Sequence, residues 1–277
     1  MIIDFHTHTF PDKVAAIAIP KMEQASHSRA FLPGTVDGLI GSMQKAGIDR
    51  SVLLPVATNP LKVSSINDLS IARNGKDGLI WFGCIHPDQA DWKGELARIA
   101  DGGLKGIKIH PQYQGVDIDD IRYLRILSRA AELGLLVLTH AGDDIGFPGE
   151  VRVSPEMVLS ALKQVGDLPM ILAHMGGWKN WERVAQLAET KVYLDTALSL
   201  GAIAPIDDHY TQEELQMLSE EQFCDLVHTF GSERILFGTD SPWSDQGESL
   251  SAIRHLPLTD AEKENILGKN AAKLLEL

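Results

Sequence analysis

At residues 3–8 the chain reads IDFHTH, and a short apolar run leads into this stretch. Such a run predicts a buried β-strand. Alternate side chains of a strand share one face, so Asp4, His6 and His8 point the same way, with both histidines toward the C-terminal end. Two imidazoles one pleat apart can bind a transition metal, but zinc takes three or four ligands. The stretch therefore predicts a metal site if other strands end in further ligands.

Composition excludes several classes of protein. The chain has 277 residues, of which 44% are hydrophobic and 23% charged, and its formal net charge is −13. These values are typical of a globular protein, and no Lys/Arg cluster of the kind found in nucleic-acid binders occurs. No apolar run is long enough to span a membrane. We therefore expect neither nucleic acid nor membrane among the partners of this protein.

Two further features bear on the cellular compartment. The two cysteines, Cys84 and Cys224, lie far apart in apolar stretches, which is typical of buried free thiols. The first predicted strand begins at residue 2, which leaves no segment that could serve as a cleaved signal peptide. A cytoplasmic location is the expectation that follows.

The rest of the chain alternates between apolar strands and helical patterns. Seven strands are predicted after the first, at residues 51–56, 79–85, 106–110, 135–140, 170–174, 192–195 and 235–240. Continuous apolar strands indicate burial on both faces, and hence a parallel sheet. Eight β/α units of about 35 residues each favour an α/β fold, a single (β/α)8 TIM barrel with one domain over residues 1–277. An open doubly wound sheet is the alternative, but no Gly-x-Gly-x-x-Gly follows the first strand.

Local signals predict where some helices begin. Ser154 followed by Pro155 is a helix start. Three capping boxes are predicted, which pair Thr211 with Glu214, Ser219 with Gln222 and Thr259 with Glu262. The stretch from residue 10 to 33 contains three prolines, and we expect it to form a loop.

Ligand-type side chains stand at the ends of five predicted strands, where a barrel of this type forms its active site. The residues are His6 and His8 on the first strand, Lys108 and His110 on the fourth, His140 on the fifth, His174 on the sixth and Asp240 on the eighth. Random placement would not bring so many such residues to the ends of core strands. The pattern favours an enzyme over a binding barrel without turnover.

These stretches resemble the amidohydrolase superfamily, and more narrowly the group that includes aminocarboxymuconate-semialdehyde decarboxylase. The matching stretches are IDFHTH at 3–8, GIKIHP at 106–111, THAG at 139–142, LAHMGG at 172–177 and LFGTDSPW at 236–243. They extend over nearly the whole chain. Together they are specific for the superfamily and leave the substrate undetermined.

The resemblance implies a metal centre and its ligands. His6, His8 and His140 would bind one divalent metal, usually zinc, and Asp240 would complete the site. Three imidazoles and one carboxylate suit zinc and leave room for a water. Asp240 would also take the proton from the attacking water, and His174 would lie beside the substrate as a catalytic acid or as a stabiliser of developing charge.

Lys108 leaves open whether one metal or two are bound. In other branches of the superfamily a lysine on the fourth strand becomes a carbamate that bridges two metals, and His174 would then bind the second. In the simpler interpretation Lys108 stays charged and, with His110, binds an acidic group of the substrate. Arg152 is a candidate clamp for a substrate carboxylate, and Trp243 is a candidate pocket wall.

Asp4 has two interpretations of equal weight. It could orient a ligand histidine, or it could be an interior carboxylate that is bonded to the backbone or to water.

The reaction expected first is hydrolysis of a small amide, lactone or ester that carries a carboxylate, by metal-activated water. The alternative is non-oxidative decarboxylation of a small unsaturated or aromatic acid at the same metal. The substrate is a small molecule in both cases, and a homodimer is the common state of such barrels.

The metal content of protein purified without chelator tests this interpretation. We expect about one zinc or manganese ion per chain by elemental analysis, because four ligands enclose one ion. About two ions would assign Lys108 as a bridging carbamate. The double variant His6→Ala/His8→Ala should lose the metal, and full occupancy in that variant would contradict the assignment of the first strand.

Overall fold

The computed structural model describes residues 1–277, which form two compact units. Unit 1 comprises residues 1–53, 145–148 and 195–277, and unit 2 comprises residues 54–144 and 149–194. Both units are α/β, and their paired strands run parallel. The single domain over residues 1–277 stays a prediction. None of the helices combines the length and the apolar character needed to cross a membrane.

The strands follow the predicted alternation closely. They are β1 (Ile3–Thr7), β2 (Arg50–Leu53), β3 (Leu79–Trp81), β4 (Gly83–Cys84), β5 (Gly106–Ile109), β6 (Leu136–Thr139), β7 (Met170–Leu172), β8 (Tyr193–Asp195) and β9 (Ile235–Leu236). The third predicted strand is interrupted at Phe82 and therefore appears as β3 and β4. Each of the other predicted strands corresponds to one observed strand.

In unit 1, β1 is the strand that positions the histidines. It pairs in parallel with β2, with Ile3 opposite Arg50 and Thr7 opposite Leu53. On its other side the amide of Phe5 donates to the carbonyl of Phe237, at 2.7 Å. All five residues of β1 are buried. The apolar residues of the strand thus pack in the core while the histidines lie at its C-terminal end.

In unit 2 the strands β4, β5, β6, β7 and β8 pair in parallel in that order. The residues of β5, β6 and β7 are all buried. Burial along the whole strand requires side chains that are apolar on both faces, and this explains the continuous apolar runs of the sequence. The carboxyl ends of these strands carry the predicted site residues of this unit.

Helices connect the strands, and several begin where capping signals predict them. Unit 1 contains α-helices at Asp12–Ser26, Val36–Ala46, Glu220–Phe230, Gln246–His255, Asp260–Glu264 and Asn270–Leu275. Unit 2 contains α-helices at Val63–Arg73, Trp92–Asp101, Pro111–Gln114, Ile121–Glu132, Pro155–Val165 and Trp181–Val184. The hydroxyl of Ser154 accepts from the amide of Met157, at 3.3 Å, and the capping boxes at Ser219 and Thr259 are both formed.

The expectation of a loop between residues 10 and 33 is wrong, since residues 12–26 form a helix that contains Pro20. A proline inside a helix removes one backbone hydrogen bond and normally disfavours the helix. Here Ala15 and Ile19 are buried in the core of unit 1. Burial of this helix face offsets the cost of the proline, and the local sequence does not reveal that burial.

The pair Thr211 and Glu214 forms the hydrogen bonds of a capping box but does not open a helix. The amide of Glu214 donates to the Thr211 hydroxyl at 3.3 Å, and the amide of Thr211 donates to the Glu214 carboxylate at 2.8 Å. A turn follows, and Gln216 then forms an antiparallel bridge with Ala202. Pairing with a distant segment thus replaces the helix that the local signal favours.

Asn67 ties a helix of unit 2 to the edge of β4. Its side chain donates to the Cys84 carbonyl at 2.9 Å and accepts from the Cys84 amide at 2.8 Å. It also donates to the Glu95 carboxylate, at 2.6 Å. Asn67 is fully buried, so one amide side chain supplies partners for backbone groups that water does not reach.

The variant Asn67→Leu should lose about 3 kcal/mol of unfolding free energy, because two buried backbone groups of Cys84 would lack partners. Urea unfolding followed by circular dichroism measures this loss. Asn59→Ala is the control, since Asn59 caps an exposed turn through the amide of Leu61 and its loss should cost about 1 kcal/mol or less. Equal losses in the two variants would contradict the role of Asn67.

Candidate metal centre and active site

Unit 1 brings together three predicted metal ligands. The Nε2 atoms of His6 and His8 lie 3.1 Å apart. Asp240 Oδ1 lies 3.1 Å from His8 Nε2 and 3.5 Å from His6 Nε2. His6 and Asp240 are buried and His8 is partly exposed. The three ligand atoms therefore form a small triangle, and the side chain of His8 is the one partly exposed to solvent.

The spacing of this triangle fits a divalent metal. Ligand atoms bound to one tetrahedral metal at bonds of about 2.0 Å lie about 3.3 Å apart. The three observed separations, 3.1, 3.1 and 3.5 Å, bracket that value. Imidazole nitrogens and a carboxylate oxygen are also ligands that zinc and manganese accept. His6, His8 and Asp240 could thus hold such an ion without rearrangement of the backbone.

Backbone hydrogen bonds set the relative position of the three ligands. The amide of Asp240 donates to the carbonyl of His6 at 2.8 Å, and the amide of His8 donates to the carbonyl of Ser241 at 2.7 Å. Asp240 itself adopts a left-handed backbone conformation with φ of 62°. The turn after β9 is therefore held against the end of β1, and the positive φ turns the Asp240 side chain toward both histidines.

The buried carboxylate of Asp4 also connects β1 to the turn after β9. Its carboxylate accepts from the amides of His6 and Thr239, at 3.2 and 3.0 Å. It also accepts from the Thr239 hydroxyl at 2.6 Å and from the Gln246 amide group at 2.7 Å. Complete burial raises the pKa of Asp4 to about 7, against these hydrogen bonds, which lower it. The contacts of Asp4 agree with the interpretation as an interior carboxylate bonded to the backbone.

Asp195 is a functional candidate that the sequence analysis missed. Its carboxylate oxygen Oδ2 lies 2.8 Å from Nδ1 of His6, and both side chains are fully buried. The only sequence signal was an acidic residue at the end of an apolar strand. That signal does not distinguish a ligand, a hydrogen-bond partner of a ligand and a solvated strand end.

Unit 2 brings a second set of predicted residues together, namely His110, His140 and His174. The ring of His110 stacks on that of His140 with centroids 4.4 Å apart. His174 Nε2 lies 3.1 Å from His140 Nδ1. Asp144 Oδ2 lies 3.5 Å from His110 Nε2 and 3.9 Å from His140 Nε2. His110, His140 and Asp144 form a second group whose atoms could hold a metal.

Lys108 lies in unit 2 on β5, between Cys84 of β4 and Leu138 of β6. It is 1% exposed, which is unusual for a lysine. A buried ammonium group is stable only with compensating partners. Both interpretations of Lys108, as a charged ammonium and as a carbamate, stay predictions.

The other two predicted substrate-binding residues differ in their surroundings. The terminal nitrogens of Arg152 each contact a carboxylate at 3.0 Å, one of Asp117 and the other of Glu150. A clamp on a substrate would therefore require Arg152 to exchange one of these partners. Trp243, in unit 1, lines a cavity of about 250 Å³ together with Phe31 and Gly238.

Comparison with known proteins identifies the family of this chain. The sequence profile of the family described as amidohydrolase matches residues 3–277. The chain belongs to the amidohydrolase family. No curated protein matches this amidohydrolase in sequence. Family membership and the two groups of ligand residues together support a divalent metal in an enzyme.

Solved structures resemble this amidohydrolase over its whole length. An uncharacterized TIM-barrel protein from Bordetella bronchiseptica is 18% identical, with a TM-score of 0.75 and coverage of 99% of this chain and 98% of that chain. The 5-carboxyvanillate decarboxylase from Sphingomonas paucimobilis is 15% identical, with a TM-score of 0.70 and coverage of 100% and 99%. The manganese-bound 5-carboxyvanillate decarboxylase from Novosphingobium aromaticivorans is 14% identical, with a TM-score of 0.71 and coverage of 100% and 97%. These similarities confirm the predicted TIM-barrel fold.

The hydroxyl of Thr239 offers a test of the contact between β1 and the turn after β9, beside the candidate ligands His6, His8 and Asp240. Thr239→Val keeps the shape of the side chain but removes the hydroxyl donor to buried Asp4, so it should cost about 2 kcal/mol of unfolding free energy. Thr239→Ser, the matched control, keeps the donor and should lose less. Chemical unfolding of both variants measures the difference, and equal losses would show that the hydroxyl contributes little.

Proposed function

We propose that this protein is a metal-dependent hydrolase that acts on a small amide, lactone or ester carrying a carboxylate. The observation that carries the proposal is the triangle of His6, His8 and Asp240, whose ligand atoms lie at the spacing of one metal-binding site. A carboxylate beside two imidazoles supplies both a metal ligand and a base. Those are the two groups that activation of water requires.

His6, His8 and Asp240 would hold the ion, and the sequence predicts His140 as a further ligand. When bound there, a divalent metal supplies Lewis-acid polarisation of the substrate carbonyl and of water. Zinc suits imidazole and carboxylate ligands and is the metal proposed first. Manganese is the alternative, because it is bound in the similar decarboxylase from Novosphingobium aromaticivorans.

The remaining residues have proposed roles in binding and proton transfer. Asp240 would accept the proton of the attacking water and pass it to the leaving group. His174 would stabilise developing charge or donate a proton. Lys108 and His110 would bind the substrate carboxylate, since a buried cation attracts an anion strongly where water is excluded. If Lys108 were instead a carbamate, His174 would bind a second metal.

Two weaker assignments complete this proposal. Trp243 would contact the apolar part of the substrate from the wall of the cavity of unit 1. Arg152 stays a predicted carboxylate clamp that must first release Asp117 or Glu150. A homodimer remains a prediction.

Decarboxylation of a small unsaturated or aromatic acid is the second candidate function. It is favoured by the similarity in fold to the two 5-carboxyvanillate decarboxylases. In that reaction Asp240 would deliver a proton to the carbon that loses carbon dioxide. The same ligands would serve both reactions, so only the products separate them.

Isotope and gas measurements distinguish the two reactions. Candidate lactones, amides, esters and aromatic acids would be incubated with the metal-loaded protein in water enriched in oxygen-18. Hydrolysis places one labelled oxygen in the product and releases no carbon dioxide. Release of carbon dioxide without label in the organic product would support decarboxylation instead. If no candidate lactone, amide, ester or acid gives a labelled product or carbon dioxide, the result would count against the proposed function.

Asp240→Asn should lower kcat by at least about 100-fold on the substrate found, because the amide cannot accept a proton. Its circular dichroism spectrum should match that of the unmodified protein. Asp225→Asn is the control, since Asp225 is exposed on the helix Glu220–Phe230 of the same unit. A near-normal rate in Asp240→Asn would exclude the proton-transfer role.

A further inference from the structure

Asp195 contacts the ring nitrogen of His6 that faces away from the other ligands. His6 Nδ1 lies 2.8 Å from Asp195 Oδ2, while His6 Nε2 lies 3.1 Å from His8 Nε2. One imidazole thus joins a carboxylate on one side to the metal-ligand triangle on the other. The exposed fractions of the two side chains are 1% for His6 and 0% for Asp195, so water does not compete for the contact.

This contact selects one tautomer of His6. A neutral imidazole carries a proton on one nitrogen and a lone pair on the other, and an ionised carboxylate only accepts hydrogen bonds. Nδ1–H of His6 therefore donates to Asp195, which leaves the lone pair on Nε2. That is the nitrogen that must be unprotonated to bind a metal beside His8 and Asp240.

Asp195 is itself fixed in place by the backbone that follows β8. Its second oxygen, Oδ1, accepts from the amide of Ala197, at 3.0 Å. The hydroxyl of Thr196 donates to the Gly238 carbonyl and accepts from the Gly238 amide, both at 3.0 Å. The carboxylate is thus held between two segments of unit 1 and has little freedom to leave His6.

Gly238 shows how closely these groups approach one another. A Cβ atom added at Gly238 would lie 2.9 Å from the Cβ of His6 and 3.5 Å from the Cβ and Cγ of Asp195. A larger side chain at Gly238 would push His6 out of position. The absence of a side chain at Gly238 thus allows the close approach of His6 and Asp195.

We propose that Asp195 is a positioning residue for the metal site. It holds His6 in the Nδ1–H tautomer and in the orientation that presents Nε2 to the ion. The metal-binding part of this inference rests on the proposed function. Loss of such a hydrogen-bond partner typically raises the Kd for the metal about 10- to 100-fold.

Metal affinity and tautomer state, measured on the full chain, test the role of Asp195. The Kd for Zn²⁺ and for Mn²⁺ would be measured by competition with a chromophoric chelator. Asp195→Ala should raise both Kd values about 10- to 100-fold. Asp195→Asn should raise them less, since its amide oxygen can accept from Nδ1–H while its NH2 group then meets the Ala197 amide, which is also a donor. Nitrogen-15 NMR of the metal-free protein should show His6 protonated on Nδ1, and a mixture of tautomers in Asp195→Ala.

Thr35→Ala is the control for a general loss of stability. Thr35 caps the helix Val36–Ala46 of the same unit by accepting from the amide of Gly38. Its removal should cost about 1 kcal/mol of unfolding free energy without changing either metal affinity or the tautomer of His6. A rise in Kd of equal size in Thr35→Ala and Asp195→Ala would overturn the positioning role.

Two other results would decide the question. If Asp195→Ala does not fold, Asp195→Asn carries the test, and Kd values equal to those of the unmodified protein would overturn the proposal. If the unmodified protein binds neither metal, the proposed function fails. The tautomer of His6 in the metal-free protein then still shows whether Asp195 controls the ring.

Discussion

The hydrogen bond from the amide of Asp240 to the carbonyl of His6 is the interaction on which the candidate site depends. It joins the end of β1 to the turn after β9, and so brings together ligands that are far apart in the sequence. The Asp4 carboxylate strengthens this junction, because it accepts hydrogen bonds from the backbone on both sides. Backbone hydrogen bonds therefore help to set the spacing of the candidate ligand atoms, together with the side chains.

Two buried carboxylates, Asp4 on β1 and Asp195 at the end of β8, contact different atoms. Asp4 accepts from main-chain amides and stabilises the strand pairing, whereas Asp195 accepts from the imidazole of His6. Each is buried, so each requires hydrogen-bond donors to offset its desolvation. For Asp4 the donors are Thr239, Gln246 and two backbone amides, and for Asp195 one donor is His6, a candidate metal ligand. The strand on which each carboxylate lies, β1 for Asp4 and β8 for Asp195, decides which donors it finds.

Backbone strain occurs at two of the predicted catalytic residues. Asp240 and His174 have φ values of 62° and 59°, in the left-handed region that costs a residue with a side chain about 1–2 kcal/mol. His174 lies two residues after β7, and Asp240 lies four residues after β9. The carbonyl of Asp240 accepts from the amide of Trp243, and that of His174 accepts from the Trp181 indole, at 2.8 Å in each case. These hydrogen bonds help to hold turns that the sequence alone would disfavour.

The sequence by itself determined the alternation of strands and helices and the strand ends that carry His6, His8 and Asp240. It did so because burial on both faces leaves continuous apolar runs in the strands, and because helices leave periodic apolar patterns and short capping signals. Only the tertiary structure decided that Pro20 lies inside a helix, that Thr211 does not begin one, and that Asp195 contacts His6. Each of these outcomes depends on burial or on a partner from a distant part of the chain, and such partners leave no periodic trace in the sequence.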